Sequence, residues 1–148
     1  MFTHSAYSLR YGTVNPEELV RWGNEAGYDH IVLADINNTS GVLSFVRYSQ
    51  ECGRTPIAGI DIRNGMSPCY LIIARNNRGF HEANTFLSKH LHEAKPFPER
   101  APHFGNCLVI YPWEQAPATL RKNEYIGIAP HQLNRYEHKK PELENKCI

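Results

Sequence analysis

Three side chains in this sequence carry the chemistry that a divalent cation needs: His4, Asp35 and Asp61. Carboxylates supply anionic oxygen and a neutral imidazole supplies nitrogen, a donor mixture suited to Zn or Mn. Each of the three stands at or near the end of a short apolar run. In a parallel sheet those ends are where loops and helix N-termini converge. The opening stretch THSAYSLRYG, Thr3 to Gly12, reads as a metal-site strand, with a histidine followed by small hydroxyl residues and a glycine turn. It supplies one imidazole. One imidazole holds no catalytic ion, so the partners must come from elsewhere in the chain.

The same residues have plainer readings. Asp35 precedes Asn37-Asn38-Thr39, which is turn chemistry, and Asp61 lies two residues from Arg63, which makes it one half of an ion pair. Thr39 and Ser40 serve as a helix cap or present backbone amides to a phosphate, capping being the commoner use. His90 and His92 are the only close histidine pair, and residues two apart on a helix point to different sides, so one ion is not gripped by both. His30, His81, His103, His131 and His138 are scattered. The sequence holds no nucleophile motif, phosphate-cradling glycine loop or zincin signature.

The elements that position these residues follow from periodicity and punctuation. Asn15-Pro16-Glu17-Glu18 starts a helix, with a capping side chain, a proline at the first helical position and acids at the positive end of the dipole. Leu19, Val20, Trp22 and Ala26 keep helical spacing until Gly27. His30 to Asp35 is too short for a helix and reads as a strand buried on both faces. A second helix enters at Thr39-Ser40-Gly41, carries Val42, Leu43, Phe45, Val46 and Tyr48, and stops at Gly53. Strands follow at Pro56 to Ile62 and Tyr70 to Ala74, joined through the turn residues 64–68. Arg78 to His92 is a third helix, striped by Phe80, Ala83, Phe86, Leu87 and Leu91. KPFPERAPH, residues 95–103, is a proline-rich seam that carries neither helix nor ladder for long. Cys107 to Tyr111 and Tyr125 to Ala129 are further strands around a short helical piece at Ala118 to Lys122. Residues 135–148 form a polar, charged tail. Strands alternating with helices predict an α/β fold with a mainly parallel sheet and flanking helices.

A chain of 148 residues fits one domain, residues 1–148, that buries roughly 70% of its unfolded surface without staples. Four cysteines without a C-x-x-C pair indicate neither a zinc ribbon nor a disulfide framework, and reduced, mostly buried thiols are expected. A net charge of +1 provides no general basic field for nucleic acid. No apolar run approaches the roughly 20 residues of a membrane span, and a cytoplasmic address is the default.

The order of segments then becomes recognisable. THSAYSLRYGT, PEELVRWGNEAGYDHIVLADINNTSGVLSFVRYSQECGRTPIAGIDI and YLIIARNNRGFHEANTFLS together resemble the start of the PHP (polymerase and histidinol phosphatase) domain of bacterial DNA polymerase III alpha subunits. The resemblance covers residues 2–91 and extends more weakly to the VIYPW and NEYIGIA segments. Metal-bearing members of that family carry H-x-H in the first strand, T-D-H after the second, and a glutamate after G-I in the third. Matched position by position, His4 takes the second histidine and Phe2 stands where the first would be. T-D-H becomes Ala34-Asp35-Ile36, and the glutamate becomes Asp61. A further histidine is replaced around Cys69 or Tyr70.

What the resemblance implies is a partial PHP-type (β/α)7 barrel, shorter than the family domain and so an N-terminal fragment or truncated relative. The site at His4, Asp35 and Asp61 would be vestigial, its ligand positions Phe2 and Ile36 lost, with no metal held. The parent protein would be a DNA-directed DNA polymerase, a nucleotidyltransferase, and this segment a non-catalytic structural and partner-binding module. Its partners would be the remainder of the alpha subunit and other replisome proteins, with DNA met only through the full-length protein and no membrane. The alternative is a metal-dependent phosphoesterase or 3'-5' exonuclease using Zn or Mn at a reduced site, completed by His30 or His131.

Overall fold

The computed structural model describes residues 2–129, 132 and 145–148. Its elements in chain order are β1 (Phe2–Thr3), α1 (Pro16–Glu25), β2 (His30–Ile36), α2 (Val42–Glu51), β3 (Thr55–Asn64), β4 (Ser67–Ala74), α3 (Asn77–His92), β5 (Cys107–Pro112) and β6 (Glu124–Gly127). The strands form one six-stranded sheet in the order β1-β2-β3-β4-β5-β6. β1, β2 and β3 pair in parallel, β4 is antiparallel to both its neighbours, and β5 and β6 are parallel. Five strands therefore run one way and β4 alone reverses. The hairpin that reverses it turns at Gly65, whose φ of +60° suits a residue without a side chain. The expectation of an α/β fold with flanking helices stands. The sheet is mixed, and among the described residues β1 and β6 do not pair, so no barrel is closed.

Asn15 caps α1 through a 2.9 Å bond from the Glu18 amide to its Oδ1. The start of α2 departs from expectation. Gly41 is its N-cap and makes no side-chain cap bond, while the Thr39 hydroxyl bonds Asn84 Oδ1 at 2.8 Å, tying the loop to α3. A tertiary partner has outcompeted the local one. The helical piece expected at Ala118 to Lys122 is absent, and a single 3-10 turn forms at Trp113–Gln115 instead. Pro117 precedes the segment, whose Thr119 carbonyl and Arg121 amide bond the side chains of Arg100 and Glu124 instead of closing a helical turn, and Leu120 packs against the core.

The helices and the proline-rich segment cover one face of the sheet. Leu19, Val20, Ile31, Leu33, Val42 and Phe45 fill the core under α1 and α2. A second core joins Ile60, Ile62, Tyr70, Ile72, Val109 and Tyr111 to Ala83 and Leu87 of α3. Phe97, Ala101 and Phe104 seal it, so the segment at 95–103 has no regular structure yet contributes to the core. Trp22, Leu43 and Leu91, which the helical stripes would have buried, are 48%, 81% and 53% exposed. Of the cysteines, Cys69 and Cys107 are buried but Cys52 is exposed, and these three are free thiols.

The register slips between Ile62 and Arg63, where β4 carries an extra residue at Cys69. This bulge lets the adjacent Cys69 and Tyr70 both be buried. Tyr70 is enclosed without a hydrogen-bond partner for its hydroxyl, and burial raises its pKa. A buried hydroxyl left unpaired costs about 1–3 kcal/mol. Tyr70→Phe is therefore expected to hold or raise the urea midpoint, the ring keeping its edge contact with Tyr111 at 5.6 Å. A loss above about 1 kcal/mol would show that the hydroxyl has a partner after all.

Candidate functional site

Pairing register decides which candidates meet. In β2 and β3, Ala34 lies beside Gly59 and Ile36 beside Asp61, on the face away from the helices. Asp35 points the other way, sharing the helix-covered face with Leu33. His4 directly follows β1, and its Nε2 lies 3.0 Å from Asp61 Oδ2. The structure thus brings His4 and Asp61 together and leaves Asp35 out.

Asp61 already has a cation. Its Oδ2 accepts from Arg63 Nε at 3.0 Å and Nη2 at 2.7 Å. The side chains are only 13% and 10% exposed, which sets this pair apart from the weak ion pairs of open surface. The Arg63 guanidinium lies over Tyr11, 4.5 Å from the ring centroid, a contact that stabilises the cation where it is desolvated. Asn37 clamps the Arg63 peptide, accepting from its N–H at 2.9 Å and donating to its carbonyl at 2.8 Å. Burial opposes the charge on Arg63, but the bond and charge of Asp61 outweigh it and raise its pKa. The guanidinium is a fixed positive charge at this rim.

Asp35 has a different task. It is 2% exposed and accepts three short bonds, from the Ser5 amide at 2.7 Å, the Ser5 hydroxyl at 2.6 Å and the Ser8 hydroxyl at 2.6 Å. Ser8 Oγ in turn accepts from the Ile36 amide at 2.9 Å. The carboxylate ties the loop after β1 to the end of β2.

These residues do not fit a metal cluster. His4 and Asp61 are two donors, one of them bonded to a guanidinium. Isoleucine at 36 and phenylalanine at 2 have no lone pair to offer. Among the described residues no three His, Cys, Asp or Glu side chains converge so as to hold an ion. A cavity of about 520 Å³ opens beside Asp61, and its other walls include Leu71, Ile110, Ile128 and Ile148. Apolar walls are a poor environment for uncompensated cation charge. Of the two histidines expected to complete a reduced site, His30 opens β2, roughly 20 Å along the strand from Ile36. His131 lies outside the described residues, as does most of the tail at 135–148. His90 bonds the Phe86 carbonyl at 2.9 Å and stacks on Phe97. Cys69 and Tyr70 sit in the bulge, Tyr70 in the core.

The family model for the PHP domain matches residues 2–116. The chain belongs to the PHP domain family. This PHP domain is 27% identical over 95 residues to a DNA polymerase III subunit alpha of Buchnera aphidicola, covering 60% of the chain and 8% of the relative. It is 30% identical over 87 residues to the subunit of the same name from Caulobacter vibrioides, covering 51% and 8%. The chain thus spans less than a tenth of the length of these curated relatives. Two solved structures lie further off. An amidohydrolase from Chromobacterium violaceum has a TM-score of 0.49 at 17% identity, covering 62% of this chain and 31% of its own. A putative metal-dependent phosphoesterase from Bifidobacterium adolescentis has a TM-score of 0.48 at 14% identity, covering 90% and 71%.

The ion pair of Asp61 with Arg63 was legible in their spacing. The parts of the rim that sequence reasoning missed are Tyr11, Asn37, Ser5 and Ser8. Ser5, Ser8 and Tyr11 stand in the opening stretch at a turn-like spacing, but only the fold shows that the serines serve Asp35.

Proposed function

We propose that this PHP domain is a metal-free module of a replicative polymerase alpha subunit, a structural and partner-binding element that does no phosphoester chemistry itself. The observation that supports the reading is the Asp61 carboxylate, whose Oδ2 accepts two bonds from the Arg63 guanidinium. A tethered guanidinium neutralises the acid without a vacant coordination position, so no water is activated there. His4, Asp35 and Asp61 are then vestigial positions of a metal site, and Phe2 and Ile36 its lost ligands. The sheet is an arc of the PHP-type (β/α)7 barrel, its strands side by side in chain order with one reversal. The likeness to polymerase alpha subunits supports the remainder of that subunit, and other replisome proteins, as partners in the cytoplasm. DNA is met through the full-length protein.

Titration calorimetry with zinc and with manganese tests the absent metal site. No stoichiometric uptake at micromolar concentration is expected. Tight binding of either ion that His4→Ala or Asp61→Ala abolishes would overturn the reading. So would metal-dependent phosphatase or exonuclease activity lost in His4→Ala.

A further inference from the structure

β5 and β6 run in the same direction as β3, and the register carries the row of Asp61 through Leu71 and Ile110 to Tyr125, three strands away, with Cys107 opening β5 three rungs below that row. Where β4 ends and β5 and β6 begin, a cavity of about 490 Å³ is lined by Arg75, His103 and Lys122 together with Phe104, Leu108 and Tyr125. Each basic residue is placed by a chain turn: Arg75 directly follows β4, His103 lies on the approach to β5, and Lys122 lies two residues before β6. The Arg75 amide bonds the Asn106 carbonyl at 3.0 Å, which fastens the first to the second. Asn123 donates to the carbonyls of Phe104 and Cys107 at 3.1 and 2.9 Å, which fastens the second to the third.

The charge at this cavity is mostly positive, with one acid, Glu82, near enough for His103 to help hold its carboxyl below the ordinary value. No carboxylate lines the cavity among the described residues. Glu82, on α3, is committed to the amides of Gly105 and Asn106 and to the Asn106 side chain. Among the described residues neither Arg75 nor Lys122 forms an ion pair, although nearly every other arginine on a sheet or loop here does. Lys146 adds a further cation, its Nζ held by the carbonyls of Arg121 and Lys122 and lying 4.9 Å from the Tyr125 ring centroid. Cations that line one cavity beside an aromatic ring and apolar side chains suit an anion that carries a flat ring of its own.

We infer that this cavity binds a nucleoside phosphate group, the phosphate on Arg75 and Lys122 and the base against the aromatic side of the cavity at Tyr125. Neither His4 nor Asp61 lines this cavity, so the inference stands whether or not that pair takes up an ion. The same chemistry is offered by a free nucleotide and by the phosphate of a single strand.

The test uses thymidine 5'-monophosphate, thymidine, inorganic phosphate and a short oligothymidylate as probes on the full chain, read by amide NMR and calorimetry. Thymidine monophosphate is expected to bind saturably, with shifts gathered at Arg75, Gly105, Lys122 and Tyr125, and to weaken as salt is raised. The double variant Arg75→Gln with Lys122→Gln, both exposed and so tolerated by the fold, is expected to lose about tenfold or more in affinity. Tighter binding of the oligomer than of the nucleotide assigns the site to strands, and the reverse to free nucleotides. Thymidine binding as well as its monophosphate, shifts gathered elsewhere, or affinity unchanged in the double variant would each overturn the inference.

Discussion

Asp35→Ala is expected to lower the stability of the chain by about 3 kcal/mol or more, a fall in Tm of roughly 10 °C for a domain of this size. The reason is the inventory it leaves behind. Ser5 and Ser8 are buried, at 0% and 1% exposure, and their hydroxyls and the Ser5 amide all donate to this one carboxylate. Alanine strands three donors where water does not reach them readily, and each unpaired buried group costs about 1–3 kcal/mol, though not additively. Asp35→Asn keeps one acceptor oxygen but turns an NH₂ toward a hydroxyl, so it falls between alanine and the parent. Hydrogen exchange is expected to speed up in residues 5–12, whose turns depend on Ser5 and Ser8 carbonyls as well as side chains. Urea denaturation decides the matter. A loss under about 1 kcal/mol for Asp35→Ala would remove the structural role and reopen a functional one.

This expectation also marks where the sequence stopped being legible. The alternation of apolar runs and helical stripes laid out α1, β2, α2, β3, β4 and α3 because those signals are local: a capping Asn15, a Gly65 turn, an apolar run at His30 to Asp35 that is buried from Ile31 on except for half-buried Val32. What a one-dimensional reading does not resolve is which side of a strand a residue takes once strands are paired. His4, Asp35 and Asp61 lie at one end of the sheet, but Asp35 is out of phase with Asp61 across the β2–β3 register. One residue of phase separates a rim group from a core group, since side chains in a strand alternate. The same limit explains Thr39, which reads as a cap and instead bonds Asn84, 45 positions along the chain. It explains the segment at 118–122 as well, where helix-compatible residues are recruited by contacts with Arg100 and Glu124.

On the proposed reading, the rim residues replace one kind of cohesion by another. A metal ion would join the ends of several strands by accepting electron pairs from each. Here Arg63 joins β3 to the loop after β1 through Asp61, Tyr11 and the neighbouring His4, and Asn37 joins β2 to β3 by a pair of bonds to the Arg63 peptide. The chain keeps the rim closed with its own cation.

The second large effect is expected at Glu124, the first residue of β6. This carboxylate is 1% exposed and accepts from Arg100 Nη2 at 3.0 Å, the Arg121 amide at 2.7 Å, Arg121 Nη1 at 3.1 Å and the Tyr111 hydroxyl at 3.2 Å. Tyr111 also accepts from the Ala101 amide at 3.1 Å, so the cluster pins the proline-rich segment to the sheet. Glu124→Ala leaves two arginines facing each other without their acid. The arginine side chains are 40% and 35% exposed and recover some hydration, which reduces the usual cost of breaking a buried pair to about 2–4 kcal/mol. The acid side of the stability curve carries the same signature. Burial alone would raise the pKa of Glu124, but the Arg121 amide and the Arg100 and Arg121 charges prevail and hold it below 4.5. A carboxylate whose pKa is depressed on folding contributes stability that is complete above its unfolded value and is lost as pH falls through the folded one. Stability measured by urea from pH 7 down to pH 3 is expected to fall below about pH 4.5 in the parent chain, and this part of the fall is expected to vanish in Glu124→Gln. Equal acid sensitivity in the two proteins would move the pH-linked stability away from this cluster and onto other carboxylates.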